Sequence, residues 1–224
     1  MMINIMFAMG KNGEFGRSLE LHKSIVAQST DEELRAIPKN GLPWVCRPDM
    51  LFFRTMTNGI ASDTGYNAFE QLRGQFPSQQ VRSVINNAAG ETSQHNVILA
   101  GRKTWLQMSL PPSRYRTFLP VSRQVFKDNA FLTLADMCKH CEDAGNDVWI
   151  VGGKELIMSA LVEHSLGDLR VDNMFISTIA NAGPSDILLD LEKIMAYIDS
   201  DFAYNDEYAE NNEVLIQRYR SLHR

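Results

Sequence analysis

The sequence predicts an α/β fold in which neighbouring strands of one sheet run parallel. Short apolar segments typical of buried strands alternate along the chain with segments of helical periodicity, and this alternation favours parallel pairing. Two apolar segments, Val97–Ala100 and Val148–Val151, end in glycine and lead directly into a helical segment. The chain has 224 residues, 44% of them hydrophobic. A chain of that size buries about 70% of its unfolded surface without disulfides or a metal.

Composition narrows the functional class. The 22 Lys and Arg residues against 27 Asp and Glu residues give a net charge of −5, which argues against a general nucleic-acid-binding protein. No apolar run approaches the ~20 residues of a membrane span. The N-terminal segment 1–13 lacks a basic region and reads as a first strand rather than a signal peptide. Three cysteines indicate a reducing compartment, so we expect a cytoplasmic protein (the host's cytoplasm, if a virus encodes it).

The N-terminal half is predicted to contain a strand, a helix and two insertions. Ile3–Met9 is a strand closed by a turn at Gly10–Gly13, and Pro48 and Asp49 begin a helix because proline and an acidic residue suit its first turn. The polar segment 17–40 is an excursion with a helical patch at 31–35. Segment 58–95, with helical patterns at 69–76 and 81–85, is read as an insertion on the body of the domain. Its role as a lid, a subunit contact or surface decoration stays open.

The C-terminal half is predicted to alternate strands and helices within the same domain, 1–224. Gly101 begins a short helix, and segment 199–213 is read as a solvated acidic loop. The predicted strands are Asn96–Ala100, Thr117–Val121, Asp147–Val151, Asn173–Ile179 and Glu213–Tyr219, and the other predicted helices are Asp136–Ala144 and Lys154–Glu163.

The two strand–glycine–helix segments predict anion sites. This geometry directs free backbone N–H groups to one point, and two such sites on one sheet suit a dinucleotide. Arg102, Lys103 and Arg123 could bind an additional ribose phosphate, which favours NADPH over NADH. The alternative is that both glycine segments are plain tight turns, and the chain has no G-x-G-x-x-G fingerprint of a standard Rossmann site.

A carboxylate shares an apolar helix face in the predicted helix from Pro48. Asp49, Phe53, Met56 and Thr57 follow helical spacing. An ionised carboxylate there is costly to desolvate unless it receives hydrogen bonds, and a flat, amidine-like heterocycle edge would supply two. The alternative is that Asp49 caps the helix and faces water.

The Cys138–Cys141 pair has zinc-like spacing but lacks a second pair. Both cysteines fit a helix that also contains Leu134 and Met137. We therefore interpret them as core residues and predict no metal site.

Several segments, taken in order, resemble dihydrofolate reductase across nearly the whole chain, interrupted at 17–40 and 58–95. They are LPW at 42–44 with Asp49 five residues after Trp44, Phe53, Thr57, AGRKTW at 100–105, a proline–arginine turn leading into PVSR at 120–123, IVGG at 150–153, and ISTI at 176–179 followed by Asp186. The resemblance implies a mixed central sheet, mostly parallel with an antiparallel C-terminal strand and flanked by helices. It also implies NADPH-dependent reduction of 7,8-dihydrofolate to tetrahydrofolate, which supports thymidylate and one-carbon metabolism.

The resemblance also implies roles for individual residues. Asp49 would bind the 2-amino and N3 edge of the pterin and promote protonation at N5. Ser177 would support that carboxylate, and Trp44 would order a water. Substrate contacts are implied for Ala8, Leu42, Asp49, Phe53, Arg116 and Ser177. Cofactor contacts are implied for Ala8, Gly16, Gly101, Arg102, Lys103, Thr104, Ser122, Arg123, Gly152, Gly153, Lys154, Glu155 and Leu156.

The residue for the glutamate tail of folate is open between two arginines. Counting back from Ser122 favours Arg116, which we prefer, whereas counting forward from Pro111 favours Arg114. The implied partners are dihydrofolate and NADPH, without nucleic acid or membrane, and the chain would be a monomer or a homodimer.

Two other functions remain open. An NADPH-dependent pyrimidine reductase of riboflavin synthesis would share the fold but would not need Asp49. A structural or binding protein without catalysis would explain the insertions and the presence of Ile157 where a tyrosine is common. The joint presence of Asp49, Arg116 and both glycine segments argues against this non-catalytic protein.

Overall fold

The computed structural model describes residues 1–30, 32, 37–38, 41–78, 83–91, 95–108, 113–122 and 133–223. The strands are β1 (Ile3–Gly10), β2 (Glu14–Gly16), β3 (Asn96–Gly101), β4 (Arg116–Val121), β5 (Asp147–Gly152), β6 (Asn173–Ile179), β7 (Ile187–Leu188), β8 (Phe202–Glu210) and β9 (Val214–Ser221). The helices are α1 (Leu19–Gln28), α2 (Arg47–Asn58), α3 (Asp63–Arg73), α4 (Ser83–Glu91), α5 (Arg102–Gln107), α6 (Leu134–Asp143), α7 (Lys154–Ser165) and α8 (Leu191–Asp201).

A seven-stranded mixed sheet forms the centre of the fold, in the order β4-β3-β5-β1-β6-β9-β8. The first five strands pair in parallel, and β9 runs antiparallel between β6 and β8. Strands β2 and β7 pair separately. The predicted fold class, an α/β fold with a mostly parallel mixed sheet, an antiparallel C-terminal strand and flanking helices, is confirmed. None of the described helices has the length and apolar character that crossing a membrane requires.

The two faces of the sheet bury different clusters because side chains alternate along each strand. In β1, Ile3, Ile5 and Phe7 pack with residues of α6, α7 and α8. Met6 points to the other face and packs with residues of α2, α3 and α4. The same alternation in β6 directs Ser177, together with Phe175, to the face of the sheet that α2 covers.

Helices α3 and α4 of segment 58–95 contribute buried residues to the core, which differs from the expectation that the segment lies on the body of the domain. Leu72 of α3 and Val84 and Ile85 of α4 are all 0% exposed. They belong to the same buried cluster as Phe52 and Met56 of α2. The segment therefore supports the helix that carries Asp49. The predicted helical patterns are shifted because both helices begin at polar residues.

A buried arginine fastens α4 to the sheet. Arg218 of β9 is 1% exposed and donates to Asn173 at 3.0 Å and to Glu207 at 3.1 Å. Its second terminal nitrogen binds Glu91, at the end of α4. A charge this deeply buried is tolerated because it is paired and hydrogen-bonded on several sides.

Two predictions for the smaller elements have opposite outcomes. The prediction of a solvated loop at 199–213 is wrong, because α8 continues to Asp201 and β8 occupies most of the remaining residues. Among the described strands, β8 pairs only with β9, and charged residues are common on such edge strands. The structural interpretation of the cysteines is confirmed, since α6 buries Cys138 and Cys141 beside Leu134 and Met137. The helical patch at 31–35 lies almost wholly outside the described residues.

Leu72→Ala is expected to destabilise the protein by about 2–5 kcal/mol, because it leaves a cavity where α3 meets α2. Urea unfolding measures this loss. Leu166→Ala is the matched control, since Leu166 is 71% exposed and its truncation should change stability by less than about 0.5 kcal/mol. Equal effects of the two substitutions would show that the insertion contributes nothing to the core.

Candidate active site

The residues expected to bind ligands gather at one edge of the sheet. Gly101, Gly152, Ala8 and Ser177 lie at the carboxyl ends of β3, β5, β1 and β6, which are parallel neighbours. In open α/β sheets this edge is the usual ligand site. This edge has two parts: the α2 site, around Asp49, and the glycine cradle, around Gly101 and Gly153.

Asp49 is the centre of the α2 site. It lies in the first turn of α2, half-buried, and the hydroxyl of Ser177 interacts with its carboxylate. Burial raises the pKa of Asp49 to about 6, although the interaction with Ser177 opposes the rise. The carboxyl thus exchanges a proton near neutral pH, as a group in acid–base chemistry must. The alternative, in which Asp49 caps its helix and faces water, does not fit this placement.

Ser177 is positioned by the sheet. It pairs with Ala8 of β1 on one side and with Ile216 of β9 on the other, and it is 2% exposed. A buried hydroxyl requires a polar partner, and Asp49 is the group with which it interacts.

One face of α2 presents an acid, an aromatic ring and a buried hydroxyl in sequence. Phe53 is half-buried one turn beyond Asp49, and Thr57, 0% exposed, lies one turn further. At 1.5 Å per residue, Asp49 and Thr57 are about 12 Å apart along the helix. This length suits an elongated, flat ligand with different groups at its two ends.

Arg116 occupies the far end of this face. Its Nη1 donates to Thr57 Oγ1 at 3.1 Å, and Thr57 in turn donates to the carbonyl of Phe53 at 2.8 Å. Burial, and then the nearby charge of Arg54, lower the pKa of Arg116. Its Nε is buried without a hydrogen-bond partner, and among the described residues no carboxylate pairs with it. A half-buried cation in this state is suited to a ligand carboxylate.

Arg114 is placed differently from Arg116. It is exposed, donates to the hydroxyl of Tyr115 and stacks on that ring at 4.8 Å. The geometry therefore favours Arg116 as the residue that faces the α2 site.

Apolar residues complete the α2 site. Ala8, Leu42 and Phe53 are half-buried and pack against the same cluster. Trp44 is 5% exposed, and its indole Nε1 is buried without a hydrogen-bond partner. Such a donor is costly to bury unpaired, so this position suits an acceptor such as an ordered water.

The two predicted anion sites form one surface, the glycine cradle. Ala100 pairs with Gly152, and a Cβ on Gly101 would lie 3.4 Å from the nitrogen of Gly153. A Cβ on Gly153 would lie 2.9 Å from Thr104 Oγ1, so only glycine fits there without displacement. The peptide bond between Gly152 and Gly153 is cis, and Gly152 has φ 117°. Neither the cis bond nor the contact between the two turns is predictable from the local sequence.

Helices α5 and α7 begin at the cradle with glycine N-caps that offer no capping side chain. The first N–H groups of α7 therefore have no partner within the helix. Trp105 anchors α5 by donating to the carbonyl of Phe118 at 3.3 Å, which holds Thr104 against Gly153.

The remaining cofactor candidates surround the cradle unevenly. Arg102, Lys103 and Glu155 are exposed, and Thr104, Ser122 and Lys154 are half-buried. Leu156 is buried in the core and its N–H binds the carbonyl of Gly153 at 3.0 Å, so it offers no polar group to a ligand. Gly16 is buried at the end of β2, and Arg123 lies outside the described residues.

Phe15 is a neighbour of the cradle that the sequence analysis missed. Its ring lies 3.5 Å from the Cβ position of Gly152, so β2 crosses the end of β5. An apolar residue within the otherwise polar segment 10–18 was the available signal.

Asp49→Asn is expected to stabilise the protein at alkaline pH. Because the folded-state pKa of about 6 exceeds the ordinary 3.8, the stability contributed by this group is fully present below pH 3.8 and is lost as pH rises through 6. Asparagine escapes that loss, so the variant should gain about 1–3 kcal/mol at pH 8 and nothing near pH 3.8. Urea unfolding at both pH values measures the gain.

The exposed Asp199 on α8 provides the matched control. Asp199→Asn should alter stability by less than about 0.5 kcal/mol at either pH. A wild type as stable as Asp49→Asn at pH 8 would contradict the buried environment assigned to Asp49.

Comparison with known proteins adds no family to this geometry. The chain matches no model of a known protein family, and no curated protein is significantly similar to it in sequence. A function is therefore assigned from the residues of the site and their arrangement.

Proposed function

We propose that the protein is a dihydrofolate reductase, which reduces 7,8-dihydrofolate to 5,6,7,8-tetrahydrofolate with NADPH. The observation that carries the proposal is the order of groups along one face of α2. On α2, a carboxylate with a raised pKa, an aromatic ring and the hydroxyl of Thr57 follow one another over about 12 Å. At the far end Thr57 accepts from the half-buried Arg116 of β4, which forms no ion pair among the described residues. Dihydrofolate offers an amidine-like pterin edge, an aromatic middle and a carboxylate tail in the same order.

Asp49 is proposed to bind and orient the pterin. Its two oxygens match the 2-amino and N3 donors of the ring, and such a charge-assisted pair is stronger in a site shielded from water. The raised pKa lets the same carboxyl supply a proton near neutral pH, through a water held at the indole of Trp44, to N5. The pyrimidine reductase alternative leaves this buried carboxylate unexplained.

The glycine cradle fits a dinucleotide. A Cβ at Gly153 would occupy the surface beside Thr104, and the first N–H groups of α7 point where a pyrophosphate can be held. The exposed cations Arg102 and Lys103 next to Gly101 suit the additional phosphate that distinguishes NADPH. When bound, NADPH supplies the hydride for the pterin. Ala8 and Gly16 are proposed to line its nicotinamide end.

The proposed reaction assigns the protein to the production of tetrahydrofolate for one-carbon and nucleotide metabolism. The three cysteines are free thiols, buried in the structure, which agrees with the proposed cytoplasmic location.

Purified protein with NADPH and dihydrofolate should oxidise NADPH, followed as loss of its absorbance. Asp49→Asn should lower kcat/KM by roughly 10²–10⁴-fold, because it removes the proton donor and one of the two pterin acceptors. Asp199→Asn, far along the sequence on α8, should leave the rate unchanged.

The outcomes separate the proposed functions. Turnover that is equal in Asp49→Asn and the wild type would overturn the assigned role of the carboxylate. An increase in melting temperature on addition of NADPH, without turnover of dihydrofolate, would replace the proposal with the pyrimidine reductase or the non-catalytic binding protein.

Gly153→Ala is expected to weaken NADPH binding by at least about tenfold, because its methyl group would displace Thr104 from the cradle. Fluorescence titration with NADPH measures the change. Gly90→Ala is the matched control, since a Cβ there has no atom within 4 Å. The double variant Gly153→Ala/Thr104→Ala relieves the contact and should recover part of the affinity. Unchanged binding in Gly153→Ala would place NADPH elsewhere.

A further inference from the structure

One buried cation outside the α2 site and the cradle has no acidic partner among the described residues. Arg17 follows β2 and is 7% exposed. Its Nε donates to the carbonyl of Pro184 at 2.9 Å and its Nη2 to the carbonyl of Pro43 at 3.4 Å. Its Nη1 is buried without a partner, and none of the carboxylates in the described part of the chain forms an ion pair with it. Burial lowers its pKa.

The contacts of Arg17 join three segments that are far apart in sequence. The backbone N–H of Arg17 donates to the carbonyl of Gly41 at 2.8 Å, and this bond brings together the two ends of segment 17–40. The N–H of Gly183 donates to the carbonyl of Pro43 at 2.7 Å. The guanidinium therefore bridges the start of the segment, its end, and the loop between β6 and β7.

The neighbouring residues reinforce the same junction. Ser18 N donates to Asp186 Oδ1 at 2.7 Å, and the hydroxyl of Ser185 donates to the carbonyl of Gly16 at 2.6 Å. The junction is tight, because a Cβ on Gly183 would lie 2.9 Å from Arg17 Nη2 and 3.0 Å from the carbonyl oxygen of Pro43.

A buried guanidinium held only by carbonyl groups is a poor source of stability. Removing a cation from water costs several kcal/mol, and neutral acceptors offset this less well than a carboxylate does. An apolar side chain of similar length would often be as stable. The position of this cation therefore calls for an explanation other than global stability.

We infer that Arg17 is a positioning residue that holds the two ends of segment 17–40 against the β6–β7 loop and thereby sets Leu42 and Trp44 in the α2 site. The carbonyl of Pro43 accepts hydrogen bonds from both Arg17 and Gly183. In sequence, Pro43 lies between Leu42 and Trp44. Release of Pro43 would move the indole and the apolar side chain on either side of it. The role in turnover rests on the proposed function, whereas the junction itself does not.

Arg17→Met tests the inference with two independent readouts. The kcat for dihydrofolate should fall about tenfold or more, because small displacements of positioning groups cost that much. The KM should change less than about threefold, because Asp49, Phe53 and Arg116 lie on other elements. The amides of Ser18 and Gly183 should exchange hydrogen at least about tenfold faster, while the melting temperature stays within about 2 °C of the wild type. Arg17→Lys keeps the charge but not the planar fork, and should recover only part of kcat.

Gly183→Ala perturbs the same contact from the other side. Its methyl group would displace Arg17 Nη2, so it should reproduce the effects of Arg17→Met, and the double variant should be no worse than either single one. Lys23→Met removes an exposed cation from α1 in the same segment and should change neither readout.

Each outcome decides a separate point. A wild type without turnover overturns the proposed function and the catalytic part of this inference, yet faster exchange at Ser18 and Gly183 in Arg17→Met would still support the junction. Exchange rates equal to those of the wild type overturn the junction. A melting temperature that falls by more than about 5 °C, together with faster exchange throughout the sheet, would show that Arg17 only stabilises the fold.

Discussion

The interaction between Ser177 and Asp49 is the constraint on which the arrangement of the site depends. A half-buried carboxylate needs a polar partner, and the partner here belongs to a central strand of the sheet, beside Ala8. This interaction relates the first turn of α2 to the carboxyl ends of β1 and β6. Phe53 and Thr57 follow from helical spacing alone, and Thr57 then determines where Arg116 is held. One contact thus sets the direction of the whole ligand face.

The glycine cradle depends on strand order rather than on any single contact. Strand β4 lies at the edge of the sheet, so β3 pairs with β5 although β4 intervenes in sequence. This crossover places Gly101 beside Gly153, and a side chain at Gly153 would contact Thr104. Each of the two glycine turns would be ordinary in isolation. Side by side they form a single surface at which two helices, α5 and α7, begin. The cradle then lies on the same edge as Asp49 because β1 and β6 continue the parallel run.

The sequence predicts those features that follow from periodicity and local chemistry. Strand β6 matches its predicted bounds, and β3, β4 and β5 match within a residue. For β3 and β5 the reason is that buried parallel strands are continuous apolar runs. Strand β8 was missed because edge strands carry charged residues, and α1 because none of its residues is buried. The burial of Leu72 and Ile85 was also missed. Segment 58–95 is rich in Asn, Gln and Ser, so the small number of apolar residues that enter the core gives no clear periodicity.

Three of the buried polar atoms without a hydrogen-bond partner among the described residues lie at or beside the proposed site. Away from it, Trp149 donates to Asn96 at 2.8 Å and Asn173 to Asn4 at 2.9 Å, whereas His22 Nδ1, Glu163 Oε2 and Asp201 Oδ2 are buried without a partner in the described part of the chain. Around the site, Trp44 Nε1, Arg116 Nε and Arg17 Nη1 are buried without partners. Each costs stability, and local rules are most often broken where a site needs groups free to act. Trp44 and Arg116 face positions where a ligand or its water would bind, whereas Arg17 lies at the junction behind them. We propose recognition as the explanation for Trp44 and Arg116, and positioning as the explanation for Arg17.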